Sequence, residues 1–177
     1  ALASPAGSVP SGFVTIKGAP SVGGAAGIAD EQGVIFEGLN RAVLEGAPIG
    51  NTGLLVDEQF GAEVARTAKA SGYILAMPVE KSGQSEFDFE YGVDFRQHIE
   101  AFDPAYAKVL VRYNPEGDSA MNLRQLTRLA ELSSLLREHS RSLLLELLRP
   151  AEPTQLAKVG AARAPYDPAV TPERRAS

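Results

Sequence analysis

Several ionisable residues stand inside, or directly after, short apolar runs, where a charge needs a physical reason. Lys108 opens Lys-Val-Leu-Val, and Arg112 follows it. Glu146 interrupts a run of leucines, Leu143-Leu-Leu145 before it and Leu147-Leu148 after it. Asp57-Glu58 follows Gly-Leu-Leu-Val, and Glu80-Lys81 follows Tyr-Ile-Leu-Ala-Met-Pro-Val. A charge within a buried strand costs several kcal/mol unless it is paired or neutralised. Two chemistries meet that demand for Lys108 and Glu146. One is an ion pair across a sheet. The other is catalysis, because desolvation readies a lysine amine to act as nucleophile or base beside a carboxylate. The remaining groups also read two ways. Asp57 and Glu58 can open a helix, where carboxylates gain about 0.3–1 kcal/mol from the helix dipole, or they can line a ligand site. Glu80-Lys81 is either a solvated pair worth little or a substrate contact, and Arg112 suits an anionic ligand. Together these residues could form one polar floor around a small anionic or hydroxylated molecule.

The elements that must position them follow from periodicity. Val34, Ile35, Leu39, Ala42 and Val43 recur at helical spacing and predict an amphipathic helix from about residue 28 to Gly46. Residues 53–56 read as a strand, 60–71 as a helix, and 73–76 as a second strand. Residues 79–91 form a long polar loop of the kind that often carries function. A short helix over 94–101 precedes a third strand at 108–111, where period-two alternation puts Lys108, Leu110 and Arg112 on one face and Val109 and Val111 on the other. Asn114-Pro-Glu-Gly-Asp118 is a structural turn, with Asp118 or Ser119 able to cap the next helix. That helix carries Leu123, Leu126, Leu129, Leu132 and Leu136. Residues 142–148 are a fourth strand, stopped by Pro150. A short helix is predicted over 154–159.

Alternating strand and helix with Val/Leu-rich strands predicts a parallel α/β sheet covered by helices. At about 30 residues per unit, the chain supplies about four βα units, half of the roughly 250 residues of a closed barrel. Residues 1–24 are a low-complexity segment of Ala, Gly, Ser and Pro, read as loose coil apart from one apolar patch at 13–16. Residues 25–150 form the domain, and 151–177 are a proline-rich tail. In such folds active sites lie where strands end, which is where these charged residues fall.

Composition removes other classes. The chain has no cysteine, so disulfides, thiolate metal sites and a cysteine nucleophile are excluded. Only His98 and His139 are present, too few for a histidine-rich metal site. Seventeen basic against twenty-two acidic residues give a net charge of −5, which disfavours nucleic acid as a partner. No apolar run approaches the ~18 residues of a membrane span. The amino-terminal residues lack the basic start and apolar stretch of a secretory signal, so a cytoplasmic location is expected.

Four stretches in order carry a resemblance: Leu55-Val-Asp-Glu-Gln-Phe-Gly61, Met77-Pro-Val-Glu-Lys-Ser-Gly83, Lys108-Val-Leu-Val-Arg-Tyr-Asn-Pro-Glu-Gly-Asp118 and Leu144-Leu-Glu-Leu147. They resemble a bacterial domain family found alone or fused behind 5-dehydro-2-deoxygluconokinase, the sugar kinase of inositol breakdown. That family is labelled 2-deoxy-5-keto-D-gluconate 6-phosphate aldolase or, more cautiously, a domain of unknown function. The motifs are more loosely similar to those of tagatose 1,6-bisphosphate aldolase, a Schiff-base aldolase with a (β/α)8 barrel. The resemblance covers roughly residues 28–160. It implies a partial TIM barrel of aldolase type and a lyase of inositol or carbohydrate catabolism, using no cofactor and no metal. The reaction would cleave a phosphorylated keto-sugar acid to dihydroxyacetone phosphate and malonate semialdehyde. By the same resemblance Lys108 and Glu146 are the catalytic lysine and carboxylate that move protons, while Asp57, Glu80, Lys81 and Arg112 bind substrate. A homo-oligomer, or a fused or partner sugar-kinase domain, is the implied partner.

The family pattern is not followed throughout. Its first strand ends in Asp-x-Arg-Gly, whereas the first acidic residue here is Asp30. Its Schiff-base lysine belongs to a later strand, beyond Ser177, as do the phosphate-gripping loops after strands seven and eight. The expectation is therefore a truncated barrel, incompetent for catalysis alone and prone to marginal folding or self-association. Two alternatives accompany it. One is a non-catalytic α/β binding module or half-barrel that covers its sheet edges with a partner. The other is a doubly wound receiver- or flavodoxin-like domain, with Asp57 as a phosphorylatable aspartate, although no glycine-rich phosphate loop is present.

Overall fold

Short Val- and Leu-rich runs bounded by Gly, Pro and Asp form the strands of a parallel sheet. A computed structural model describes residues 12–16, 24–153 and 155, with side chains from residue 33 onward. Five strands follow one another in space as they do in sequence: β1 (Gly12–Ile16), β2 (Thr52–Val56), β3 (Ile74–Pro78), β4 (Tyr106–Arg112) and β5 (Ser142–Leu148). Every neighbouring pair is parallel. Between them run α1 (Gly24–Leu44), α2 (Glu58–Ala70), α3 (Phe95–Phe102) and α4 (Ser119–Glu138).

Register shows which residues share a face. Leu54 pairs with Leu75, Met77 with Ala107, and Ala107 with Leu143. Alternation then puts Leu54, Val56, Leu75, Met77, Ala107, Val109 and Val111 on one side of the sheet. All of these are buried in two apolar clusters. The clusters take Leu39 from α1, Ala65 and Ala68 from α2, Phe95, Ile99 and Phe102 from α3, and Leu132, Leu135 and Leu136 from α4. All four helices therefore cover the same face. The opposite face presents Leu55, Ala76, Pro78, Lys108, Leu110, Arg112 and Glu146. The strand order never reverses, so the switch point of a doubly wound sheet is missing among the described residues. That corrects the receiver- or flavodoxin-like alternative.

Helix boundaries follow capping chemistry. The Asp57 carboxylate accepts the Phe60 N–H at 2.9 Å and starts α2 two residues earlier than predicted. Asp118 accepts the N–H groups of Ala120 and Met121 at 2.8 and 3.0 Å. All four helices are followed by a residue at positive φ: Gly46, Gly72, Asp103 and Ser140. Gly72 shows why, since its turn lets the Tyr73 N–H donate back to the Ala68 carbonyl at 3.1 Å.

Two expectations are corrected, and the inward face of one helix departs from its leucine row. The segment 1–24 is not wholly loose coil, because residues 12–16 form β1 and pair with the full length of β2. Five residues without helical or alternating context acquire strand identity only from that partner. In α4, Leu123 and Leu126 are 66% and 48% exposed, while Asn122 and Gln125 face inward. The buried row runs through 125, 132, 135 and 136, and Leu123 and Leu126 lie off that line. Glu146 is not in a buried strand either, because β5 has one strand neighbour among the described residues and its Leu145, Leu147 and Leu148 are exposed. The helix predicted over 154–159 lies outside the described residues except for Gln155, which is buried against Asn114 with Nδ2 to Oε1 at 2.7 Å.

At the amino ends of the strands, one carboxylate ties three elements together. Asp103, just after α3, accepts Lys69 Nζ from the end of α2 at 2.8 Å. It also accepts Nε of Arg141, which precedes β5, at 2.6 Å, together with Arg141 Nη2. The Arg141 and Lys69 hydrogen bonds hold its carboxyl below the usual carboxylate range. Exposed pairs of this kind contribute about 0.2–1 kcal/mol each. The left-handed backbone at φ 45° adds a second requirement that Asn meets and Ala does not. In urea denaturation D103N should therefore be mildly destabilised, and D103A should lose about 1 kcal/mol more.

Candidate functional site

Lys108 is the one fully buried charged residue among those described, 3% exposed on the open face of β4. Its ammonium donates to Glu80 Oε1 at 2.5 Å and lies 3.2 Å from Glu146 Oε2. The Lys108–Glu146 pair thus forms across β4 and β5. Glu80 belongs to the same group, so the solvated Glu80–Lys81 pair is corrected: Glu80 turns inward to Lys108 and Lys81 stays exposed. Glu80 Oε2 is buried and accepts no hydrogen bond from the described residues.

Glu80 reaches Lys108 because the loop after β3 folds back on itself. Glu80 and Phe89 form an antiparallel bridge, and the Lys81 N–H donates to the Asp88 carbonyl at 2.8 Å. Phe87 and Phe89 point into the core, where Phe89 stacks on Phe95 with centroids 3.8 Å apart. Helix α4 pins the same loop. Fully buried Gln125 accepts the Phe87 N–H at 2.7 Å and donates to the Arg112 carbonyl at 2.9 Å. Glu86 accepts both Nε and Nη2 of Arg124, at 2.9 and 2.7 Å, and Arg128 Nη1 at 2.6 Å. Arg112 Nη1 donates to the Gln84 carbonyl at 2.7 Å.

A cavity of about 490 Å³ lies between this loop and the carboxyl ends of β2, β3 and β4. Of the residues singled out in the sequence, Asp57, Glu58, Glu80, Lys81 and Arg112 line it, and Lys108 and Glu146 do not. Its carboxylates are mostly engaged: Asp57 caps α2, Glu58 holds His98, Glu80 holds Lys108, and Glu86 holds two arginines. Lys81 and Arg112 have no carboxylate partner among the described residues, so the wall offers cationic donors to an anion.

Sequence reasoning missed His98, Tyr91, Glu86 and Gln125. A signal for the loop was available, since Phe87-Asp-Phe-Glu-Tyr91 alternates as a strand does. None existed for His98, whose partner Glu58 is distant in sequence. The described residues contain no cluster of three or more His, Asp or Glu able to hold a metal ion, and no helix among them is long and apolar enough to cross a membrane.

Fold and site together define a parallel α/β repeat wound in one direction, with a polar pocket at the carboxyl ends of its strands. The chain belongs to a family of uncharacterized proteins conserved in bacteria (DUF2090), whose match covers residues 28–173 and runs past the domain end expected at 150. No curated protein matches the chain.

Hydrogen bonds from Arg124, then Arg128, lower the Glu86 pKa from 4.5 to about 2. A lowered carboxylate pKa stabilises the folded state above the unfolded value, and that stability disappears as pH falls through the folded value. The loop clamp should therefore persist at pH 5 and weaken between about pH 4.5 and 2. Protection factors of the Phe87 and Phe89 amides should fall over that window in the wild type, while E86Q shows low protection throughout.

Proposed function

We propose that this chain forms part of an aldolase-type (β/α) barrel that cleaves a phosphorylated keto-sugar acid to dihydroxyacetone phosphate and malonate semialdehyde. The supporting observation is the buried Lys108, held between Glu80 and Glu146 beside a cavity whose Lys81 and Arg112 lack carboxylate partners among the described residues. Sequential winding of the parallel strands accords with a barrel segment. In the cleavage, an amine condenses with the substrate ketone and releases water. A base takes the proton of the hydroxyl two carbons away, the intervening carbon–carbon bond breaks, and its electron pair enters an enamine. Protonation and hydrolysis of the enamine release dihydroxyacetone phosphate. Lys108 with Glu146 moves protons, Lys81 and Arg112 bind an anionic group of the substrate, and Asp57 and Glu80 bind the polyol.

The test combines binding with turnover. Dihydroxyacetone phosphate should bind in calorimetry, and K81A/R112A should lose about tenfold or more, the scale of one charged hydrogen bond. K108R keeps a cation between Glu80 and Glu146 but removes an amine that exchanges protons. In a barrel supplied with the Schiff-base lysine, malonate semialdehyde release should fall about 10²–10⁴-fold in K108R, and K108R in this chain should keep its cooperative melt. Failure of this chain to bind dihydroxyacetone phosphate would overturn the proposal.

The exposed Leu145, Leu147 and Leu148 of β5 favour a second reading, a non-catalytic half-barrel that pairs through this edge. Sedimentation should then show association that L145E/L147E abolishes. A monomer at all concentrations argues against it.

A further inference from the structure

Glu58, His98 and Tyr91 come from α2, α3 and the loop before α3, and they meet beside the large cavity, with His98 behind the wall that Glu58 and Tyr91 form. Both Glu58 oxygens lie 2.8 Å from His98 Nδ1, and a carboxylate only accepts, so Nδ1 carries the proton. The Tyr91 ring stacks on this fixed imidazole, with centroids 3.5 Å apart and planes within 5°. Glu58 and Tyr91 both line the large cavity. The Tyr91 hydroxyl has no hydrogen-bond partner among the described residues. A phenol held by a rigid stack, next to open volume and without a protein acceptor, is a donor arranged for a ligand.

We propose that Tyr91 is a ligand-binding residue whose hydroxyl donates to a neutral carbonyl or hydroxyl oxygen of the bound molecule, and that His98 and Glu58 are positioning residues. The charges around the phenol select the acceptor. Asp57, Glu58 and Glu90 stand on this side, so a carboxylate or phosphate is repelled here and drawn to Lys81 and Arg112, which line the same cavity. Burial first, then the charges of Glu58, Glu90 and Asp57, push the Tyr91 pKa up to about 12. The phenol therefore keeps its proton throughout the neutral range. The ligand class is a small phosphorylated carbonyl or polyol compound, bound with its phosphate away from Tyr91. This inference rests on the sugar-phosphate reading of the cavity and adds the orientation of the ligand within it.

Two probes test it, dihydroxyacetone phosphate and inorganic phosphate, titrated calorimetrically into the intact chain. Y91F should bind dihydroxyacetone phosphate about tenfold more weakly than wild type while binding inorganic phosphate unchanged, with an unaltered melting temperature. H98A should weaken dihydroxyacetone phosphate in the wild-type background and add nothing in Y91F, the coupling expected of a residue acting through Tyr91. Equal affinity of Y91F and wild type for dihydroxyacetone phosphate overturns the inference and leaves the sugar-phosphate reading standing. An equal loss of phosphate affinity in Y91F overturns the assigned orientation. Failure of wild type to bind dihydroxyacetone phosphate overturns both, and the wild-type titration alone identifies that outcome.

Discussion

A cation enclosed within a parallel sheet must be answered by carboxylates, and Lys108 is answered from both sides. Removing one partner from a buried pair costs about 3–5 kcal/mol, because the other charge is stranded. Glu146 is supplied by the adjacent strand, with no rearrangement of the backbone beyond the sheet itself. Glu80 arrives only if the chain after β3 turns back, and that turn carries Phe87 and Phe89 into the core. The ion group on the open face and the aromatic packing on the helix face therefore hold one loop between them, and this loop forms the cavity's outer wall.

Much of the architecture was legible because it depends on local chemistry. Asp118 caps α4 and Gly46 and Gly72 end their helices, while alternation at 108–112 assigned each side chain of β4 to its face. What was illegible depends on distant partners. β1 is a strand because β2 offers an unpaired edge in register with it. The inward row of α4 departs from its leucine row because leucine marks an apolar face only when nothing polar has a better claim. Here Gln125 serves two backbone groups inside, and Leu123 and Leu126 are left outside.

The candidate site divides along the same line. Charges at strand ends were visible because a charge beside an apolar run is conspicuous. The Glu80–Lys108 contact was not, since a Glu-Lys pair adjacent in sequence invites the assumption that the two residues satisfy each other. His98 reads as an ordinary helix residue until folding brings Glu58 to its ring nitrogen. Family membership over residues 28–173 ties these motifs to a bacterial lineage without assigning them chemistry.

The sequential strand order has a kinetic consequence. Each strand lies beside the one synthesised just before it, so every pairing closes a loop no longer than one strand–helix unit. Loop-closure entropy stays small, and non-local searches, which slow most sheet proteins, are avoided. A chain emerging from the ribosome can dock each unit onto the edge left by its predecessor and keep only the newest edge open to misassociation. Among the described strands the leucines of β5 occupy that last edge, the position where growth by one further unit, or capture by another chain, meets the least resistance.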